Sequence, residues 1–170
     1  MTPFRFDHDF QAPSPAEVFR AYFDPELSAE QDRRVEVAQR ELLTLDDSPE
    51  RLHRVCKVVP RRQLPAIVRP FVPGDLSYTE DVTWQKADDV IDMRIEPAIL
   101  GGRVEILATY RVATLRPGVV RRTYDGRVEV QVRVVGRRIE RGIIEDLGRT
   151  LVVAAACTQE WLDRQARATP

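Results

Sequence analysis

The sequence predicts an α+β domain in which a curved, seven-stranded antiparallel sheet surrounds one long C-terminal helix, with two short helices after the first strand. Three observations lead to this prediction. Several segments alternate apolar and polar residues at period two, helix-capping signals directly follow the first of them, and an apolar stripe of helical period follows the last. The 170 residues, of which 43% are apolar and 31% charged, fit one globular domain.

The N-terminal segment predicts a strand followed by two helices. Aromatic residues and a histidine alternate there with charged residues, which is typical of a half-buried strand. Its inward set is Phe4, Phe6, His8 and Phe10. The run from Ser14 to Glu17 has the pattern of a capping box and begins the first helix, which Asp24-Pro25 interrupts. Ser28 offers a second cap, so we expect the second helix at about Ser28 to Gln39.

Six further strands are predicted after these helices, at residues 40–45, 51–59, 75–85, 90–96, 103–115 and 119–135. Turn residues separate them, and Asp46 to Pro49 joins the first two as a hairpin. Residues 60–73 contain four prolines, which predicts an irregular crossing. The third and fourth of these strands contribute the inward side chains Leu76, Tyr78, Glu80, Val82, Trp84, Ile91, Met93 and Ile95.

The strand at 119–135 has the clearest alternation in the chain and predicts one dry and one wet face. Its dry face comprises Val120, Arg122, Tyr124, Gly126, Val128, Val130, Val132 and Val134. Gly136 is expected to end the strand, and the apolar period becomes helical from about residue 137 to residue 164. The helical stripe that should pack on the sheet comprises Ile139, Ile143, Leu147, Leu151, Ala154 and Trp161.

Charge and composition exclude several classes of function. With 26 Lys and Arg against 27 Asp and Glu, the chain has no clustered positive field for nucleic acid. No apolar window reaches the length of a membrane span and no signal-peptide pattern is present, so we expect a cytoplasmic protein with at most transient membrane contact. Cys56 and Cys157 are expected to be buried thiols, and no motif predicts a metal, a cofactor or a hydrolase triad.

The polar residues on inward faces carry most of the functional information. They are His8, Tyr78, Glu80, Arg122 and Tyr124. Because a buried charge must be paired or reach water, Arg122 requires Glu80, an anionic group of a ligand or a solvent-filled cavity. A pair between Arg122 and Glu80 would form the polar end of a cavity. The simplest interpretation of His8 is a core histidine bonded to the backbone or to Glu80.

Three parts of the chain carry a family resemblance. Residues 6–19, with the sequence FDHDFQAPSPAEVF, resemble the first strand and capped helix of the START-like superfamily, also called SRPBCC. The two short helices fit that fold, and residues 128–140 resemble its last strand turning through Gly136 into the closing helix. The resemblance implies the helix-grip fold of lipid-transfer and polyketide cyclase-like proteins, in a subfamily of unknown function. We assign residues 1–165 to a single START-like ligand-binding domain and 166–170 to a flexible tail.

The resemblance implies binding or transport of a hydrophobic small molecule or lipid, in a cavity between the sheet and the closing helix. A polyketide cyclase or aromatase-like enzyme is one alternative, with His8, Tyr78, Glu80 or Tyr124 as acid or base. An interaction domain with a filled core and no ligand is a second. We assign no catalytic residue and expect a monomer or homodimer. The candidate cavity residues are His8, Tyr78, Glu80, Trp84, Met93, Arg122, Tyr124, Val128, Val130, Ile143, Leu147 and Leu151.

Overall fold

The computed structural model describes residues 1–61 and 76–168. Within them the elements are β1 (Thr2–Gln11), α1 (Pro15–Phe23), α2 (Pro25–Arg34), β2 (Val37–Asp47), β3 (Arg51–Pro60), β4 (Tyr78–Gln85), β5 (Val90–Pro97), β6 (Val104–Arg116), β7 (Val119–Val130) and α3 (Gly136–Ala168). The seven strands form one antiparallel sheet in the order β1-β7-β6-β5-β4-β3-β2. The predicted fold class is confirmed. Most of the irregular crossing predicted at residues 60–73 lies outside the described residues.

The alternation of β7 orients its side chains as predicted, with Tyr124 and Val128 buried and Arg127 exposed on the opposite face. β7 pairs with β1 on one side and with β6 on the other, so the inward residues of the three strands form one mostly apolar surface of the sheet. Gly126 is required in β7, because a Cβ there would clash with the carbonyl oxygen of Leu107 and lie 2.9 Å from the Phe4 ring. Helices α1 and α3 pack on this surface.

Helix α1 begins where predicted but without its predicted capping box. Ser14 is the N-cap residue, with extended backbone, and its side chain makes no capping hydrogen bond. The Glu17 carboxylate pairs with Arg20 one turn further along instead of reaching back to Ser14. Val18 and Phe19 are both buried. Packing of this apolar side, more than capping, therefore stabilises α1.

Helix α2 begins and ends earlier than predicted. It begins at Pro25 because the Asp24 carboxylate accepts the Leu27 N–H at 2.8 Å, and because proline suits the first helical position. Its end is set by the next strand. Glu36 adopts a φ of 60°, and Val37 already pairs with Pro60, so residues 37–39 belong to β2 and not to the predicted helix.

The connection from β7 to α3 is longer than predicted. β7 ends at Val130, and Val134, expected on the dry face, is fully exposed with a φ of 72°. The chain turns back here because Gly136 begins α3 close to Val130, where a Cβ would lie 2.9 Å from the carbonyl oxygen. α3 spans 33 residues, about 50 Å at the usual helical rise. It ends at Ala168 and so includes residues 166–168 of the segment assigned to a flexible tail.

A buried carboxylate joins α3 to the sheet at this corner. Glu140 is 1% exposed and accepts hydrogen bonds from the Val130 N–H at 3.0 Å and from the Thr2 hydroxyl at 2.5 Å. The Met1 amino group lies 2.8 Å from the same carboxylate. Burial acts to raise the pKa of Glu140, but these hydrogen bonds outweigh it and lower the pKa below its usual value. β1, β7 and α3 are therefore held together by one side chain.

Two clusters of buried apolar side chains lie between the sheet and the helices. The larger includes Val82, Ile91, Val128 and Ile139, and the smaller joins Phe10 and Leu27 to Trp161 and others. Cys56 and Cys157 are both buried and unpaired, as expected. None of the helices in the described ranges combines the length and apolar character that crossing a membrane requires.

The register of β7 can be tested by two neighbouring substitutions. Val130→Asp places a charge in the core beside Glu140, so we expect it to lower the free energy of unfolding by more than about 3 kcal/mol. Gln131→Asp, at the exposed next position, should change it by less than about 0.5 kcal/mol. Denaturant unfolding measures both. Equal midpoints for the two variants would show that the register is wrong.

Candidate functional site

A cavity of about 190 Å³ lies between the concave face of the sheet, α2 and α3. Its wall is mostly apolar, and the large apolar side chains that line it are Phe4, Met93, Ile95, Ile106, Leu147 and Leu151. Polar side chains line it from both helices and from strands β2, β3, β4 and β7. An apolar enclosure with a few convergent polar groups is the usual form of a small-molecule site.

Four charged side chains of the wall form one compensated network. Arg40 binds Asp32 through two hydrogen bonds of 2.8 and 2.9 Å, and its third nitrogen lies 3.0 Å from Glu80. Arg54 lies 3.7 Å from the same Glu80 oxygen. Burial acts to lower the pKa of Arg40. The hydrogen bonds to Asp32 and the negative charges of Glu80 and Asp32 outweigh this effect, so the pKa of Arg40 lies above its usual range. The predicted pair of Glu80 with Arg122 is therefore wrong, because Arg40 and Arg54 occupy that carboxylate.

Arg122 is left as a buried cation. It is 3% exposed and lines the cavity, and it forms no ion pair with a carboxylate of the described residues. Its guanidinium lies over the rings of Phe10 and Tyr124, at 4.9 and 5.2 Å from their centroids. One nitrogen is 3.5 Å from the Leu151 carbonyl oxygen, and Nε has no hydrogen-bond partner among the described atoms. Ring contacts stabilise such a charge only in part.

His8 lies directly beside this cation. Its Cα is paired with that of Arg122 in the β1–β7 register, so both side chains point inward from adjacent strands. Burial lowers the pKa of His8 to about 4, and the Arg122 charge adds to the effect while Asp7 and Asp9 oppose it. The imidazole is therefore neutral at pH 7. Its buried Nδ1 has no hydrogen-bond partner among the described residues, so the predicted bond to Glu80 or the backbone is absent at that atom.

Three tyrosines pack together at the same cavity. Tyr110 makes edge-to-face contact with Tyr124 at 5.0 Å between centroids, and Tyr22 lies 4.9 Å from Tyr110. Burial raises the pKa of all three hydroxyls above the usual range. They stay protonated near neutral pH and are therefore hydrogen-bond donors, and the Tyr22 hydroxyl donates to the Met93 sulfur at 3.9 Å.

The structure brings seven of the predicted candidates to the cavity wall: Tyr78, Glu80, Met93, Arg122, Tyr124, Leu147 and Leu151. The others lie elsewhere. Trp84 lines a separate surface pocket. Its ring stacks on Phe19 and Phe23, because α1 covers that end of β4. Val128, Val130 and Ile143 belong to the packed core between the sheet and α3, and His8, which is paired with Arg122 in the β1–β7 register, is not among the side chains of the wall. Their roles in binding stay predictions.

Sequence reasoning missed the side chains that helices and edge strands supply. Gln31 of α2 donates to the Ala154 carbonyl at 3.2 Å and to the Thr158 hydroxyl at 3.3 Å, which joins α2 to α3 beside the cavity. Arg54 could have been found, because it alternates on β3 with the buried Cys56 and Val58. Arg40 and Asp32 carried no such signal. No group of three or more His, Cys, Asp or Glu in the described part of the chain is arranged to hold a metal ion.

Comparison of the sequence with known families gives one match. The family model described as "Protein of unknown function (DUF2505)" matches residues 5–162. No curated protein matches the chain in sequence.

Solved structures resemble the chain in fold at low identity. A START superfamily protein from Mycobacterium smegmatis is 13% identical, with a TM-score of 0.62 over 97% of this chain and 99% of that one. The Zhui aromatase/cyclase from Streptomyces sp. R1128 is 13% identical, with a TM-score of 0.59 over 98% and 97% of the two chains. Norcoclaurine synthase from Thalictrum flavum, in complex with dopamine and hydroxybenzaldehyde, is 13% identical, with a TM-score of 0.62 over 95% and 86%.

The uncompensated charge of Arg122 leads to a stability prediction. Arg122→Met keeps most of the apolar stem and removes a buried cation, so we expect the free energy of unfolding to rise by about 1 kcal/mol or more. Arg127→Met, on the exposed face of the same strand, should change it by less than about 0.5 kcal/mol. Denaturant unfolding of the two variants measures both changes in the free energy of unfolding. A large loss of stability in Arg122→Met would mean that the guanidinium has a structural anionic partner.

The environment of His8 leads to a pH prediction. An unfolded histidine has a pKa of 6.5, whereas the folded value is about 4. Between these values the unfolded state binds more protons, so the free energy of unfolding falls as the pH drops from 6.5 towards 4. We expect the His8 ring signals in NMR to titrate near pH 4, and His8→Gln to remove this part of the pH dependence. A His8 midpoint near 6.5 would contradict its burial.

Proposed function

The chain belongs to the family described as "Protein of unknown function (DUF2505)" and has the START-like helix-grip fold, and we propose that it binds and carries a small apolar molecule in the cavity between the sheet and α3. One observation carries this proposal. The cavity wall combines apolar side chains such as Met93 and Leu147 with hydrogen-bonding groups such as Tyr78 and Arg122. Apolar contact supplies affinity and the few polar groups orient the ligand.

The volume of the cavity favours a small ligand over a lipid with two chains. Sites for drug-sized ligands usually enclose about 300–1,000 Å³. An engineered cavity of about 150 Å³ in another protein binds benzene. At about 190 Å³, this cavity fits one ring with a small substituent, or a short acyl chain.

A cyclase-like enzyme is the second candidate, and the tyrosine group favours it. The hydroxyls of Tyr22 and Tyr124, on residues that line the cavity, stay protonated near neutral pH and could polarise a bound carbonyl. The other predicted acid–base groups fit less well. Glu80 is engaged by two arginines, and His8 is not among the side chains of the wall. The cavity itself counts against an interaction domain with a filled core.

Binding can be tested with a neutral single-ring probe and two matched variants of α3. Ala154 lines the cavity, so Ala154→Leu should fill part of it, while Ala156→Leu adds the same volume at an exposed position two residues away. We expect benzyl alcohol to shift the NMR signals of cavity residues in the wild type and in Ala156→Leu. Ala154→Leu should bind it at least about tenfold more weakly. Equal binding by all three proteins, or none by the wild type, would contradict the proposal.

A further inference from the structure

The charges that the described residues bring to the cavity do not balance. Within residues 1–61 and 76–168, five ionised side chains belong to its wall: Asp32, Arg40, Arg54, Glu80 and Arg122. Arg40 lies 2.8 Å from the Asp32 carboxylate and 3.0 Å from that of Glu80, and Arg54 lies 3.7 Å from Glu80. Both carboxylates are therefore paired with arginines. Three cations thus face two anions, and Arg122 has the uncompensated charge. A cation buried in an apolar wall is strongly disfavoured unless an anion joins it, and the bound ligand is the group that can supply one.

The guanidinium of Arg122 uses few of its hydrogen-bond donors within the described residues. The Phe10 and Tyr124 rings cover the guanidinium, while its hydrogen bonds are directed outward in its own plane. Among the described residues only the Leu151 carbonyl accepts one, at 3.5 Å, and the buried Nε has no partner. A carboxylate matches this planar fork with two parallel hydrogen bonds, which a hydroxyl or a carbonyl group cannot form.

The neighbours of Arg122 also favour an anion. His8, opposite it in the register, is neutral at pH 7 and therefore neither repels an anion nor supplies one. The hydroxyl of Tyr124 stays protonated and can donate a hydrogen bond. Asp7 and Asp9 flank His8 in sequence, but they point to the opposite face, where they bind Thr123 and Arg121.

We propose that the natural ligand is a small apolar monocarboxylate, either a single-ring or a short-chain acid, whose carboxylate binds Arg122. Its apolar body lies against Leu147, Met93 and Ile95 on the remaining wall. This inference rests on the proposed function, because it specifies what the same cavity binds. It also supplies the buried cation with an anionic partner that the described residues do not provide, and local conflicts of this kind are expected at functional sites.

The test compares charged and neutral isosteres: benzoate with benzamide, and hexanoate with hexanamide. We expect the wild type to bind the carboxylate of at least one pair about tenfold or more tighter than its amide. Arg122→Met should lose this preference and still bind the amide, and Arg122→Lys, which keeps the charge but not the fork, should keep part of it. Arg127→Met, on the opposite face of β7, should behave as the wild type. Isothermal titration calorimetry or NMR measures these affinities.

A second readout locates the bound anion. The charged groups that act on His8 are Arg122, Asp7 and Asp9. A carboxylate on Arg122 compensates its charge, so benzoate should raise the pKa of His8 above its value of about 4 in wild type but not in Arg122→Met. Equal affinity for acid and amide, or a preference that survives in Arg122→Met, would overturn this inference and leave the proposed function intact. Failure of the wild type to bind any probe, benzyl alcohol included, would overturn both.

Discussion

The structure depends on covering the one dry face of its sheet. Seven strands about 4.8 Å apart make a sheet roughly 29 Å wide, whereas a helix with its side chains is only about 10–12 Å across. One helix cannot cover that width. α3 packs on β1 and β7. α1 packs on β6 and β7, α2 packs on β2, and both of these short helices also contact α3. The cavity lies where α2 and α3 meet above the concave face of the sheet.

The two ends of α3 are held in different ways. Near its N-terminus the buried Glu140 accepts hydrogen bonds from β1 and β7, so this end is fixed to the sheet. Further along, α2 binds α3 through the Gln31 amide at 3.2 Å and through an ion pair of Arg34 with Glu160 at the surface. Ion pairs at the surface contribute little to stability. The buried apolar cluster that includes Leu27 of α2 and Trp161 of α3 therefore holds these two helices together more than this ion pair does.

Local pattern determined much of the site, because side-chain direction in a strand is a local property. Period-two alternation correctly placed Tyr78, Glu80, Arg122 and Tyr124 on inward faces, and the helical stripe placed Leu147 and Leu151 opposite them. Element ends were less predictable. Ser28 was the predicted cap of α2, but Asp24 caps it, and the helix ended early because Val37 pairs with Pro60 in the sheet. Val134 continued the alternation in sequence although the strand had already ended.

The sequence by itself determined which polar residues point inward, and only the tertiary structure decided which of them meet. β7 and β4 are separated by β6 and β5, so Arg122 and Glu80 start from strands about 14 Å apart. β3 and β2 lie on the other side of β4 and bring Arg54 and Arg40 to the Glu80 carboxylate. Strand order results from long-range pairing, which no local pattern encodes. For that reason the sequence identified Arg122 as a buried charge, and the order of the strands left it without a carboxylate partner in the described part of the chain.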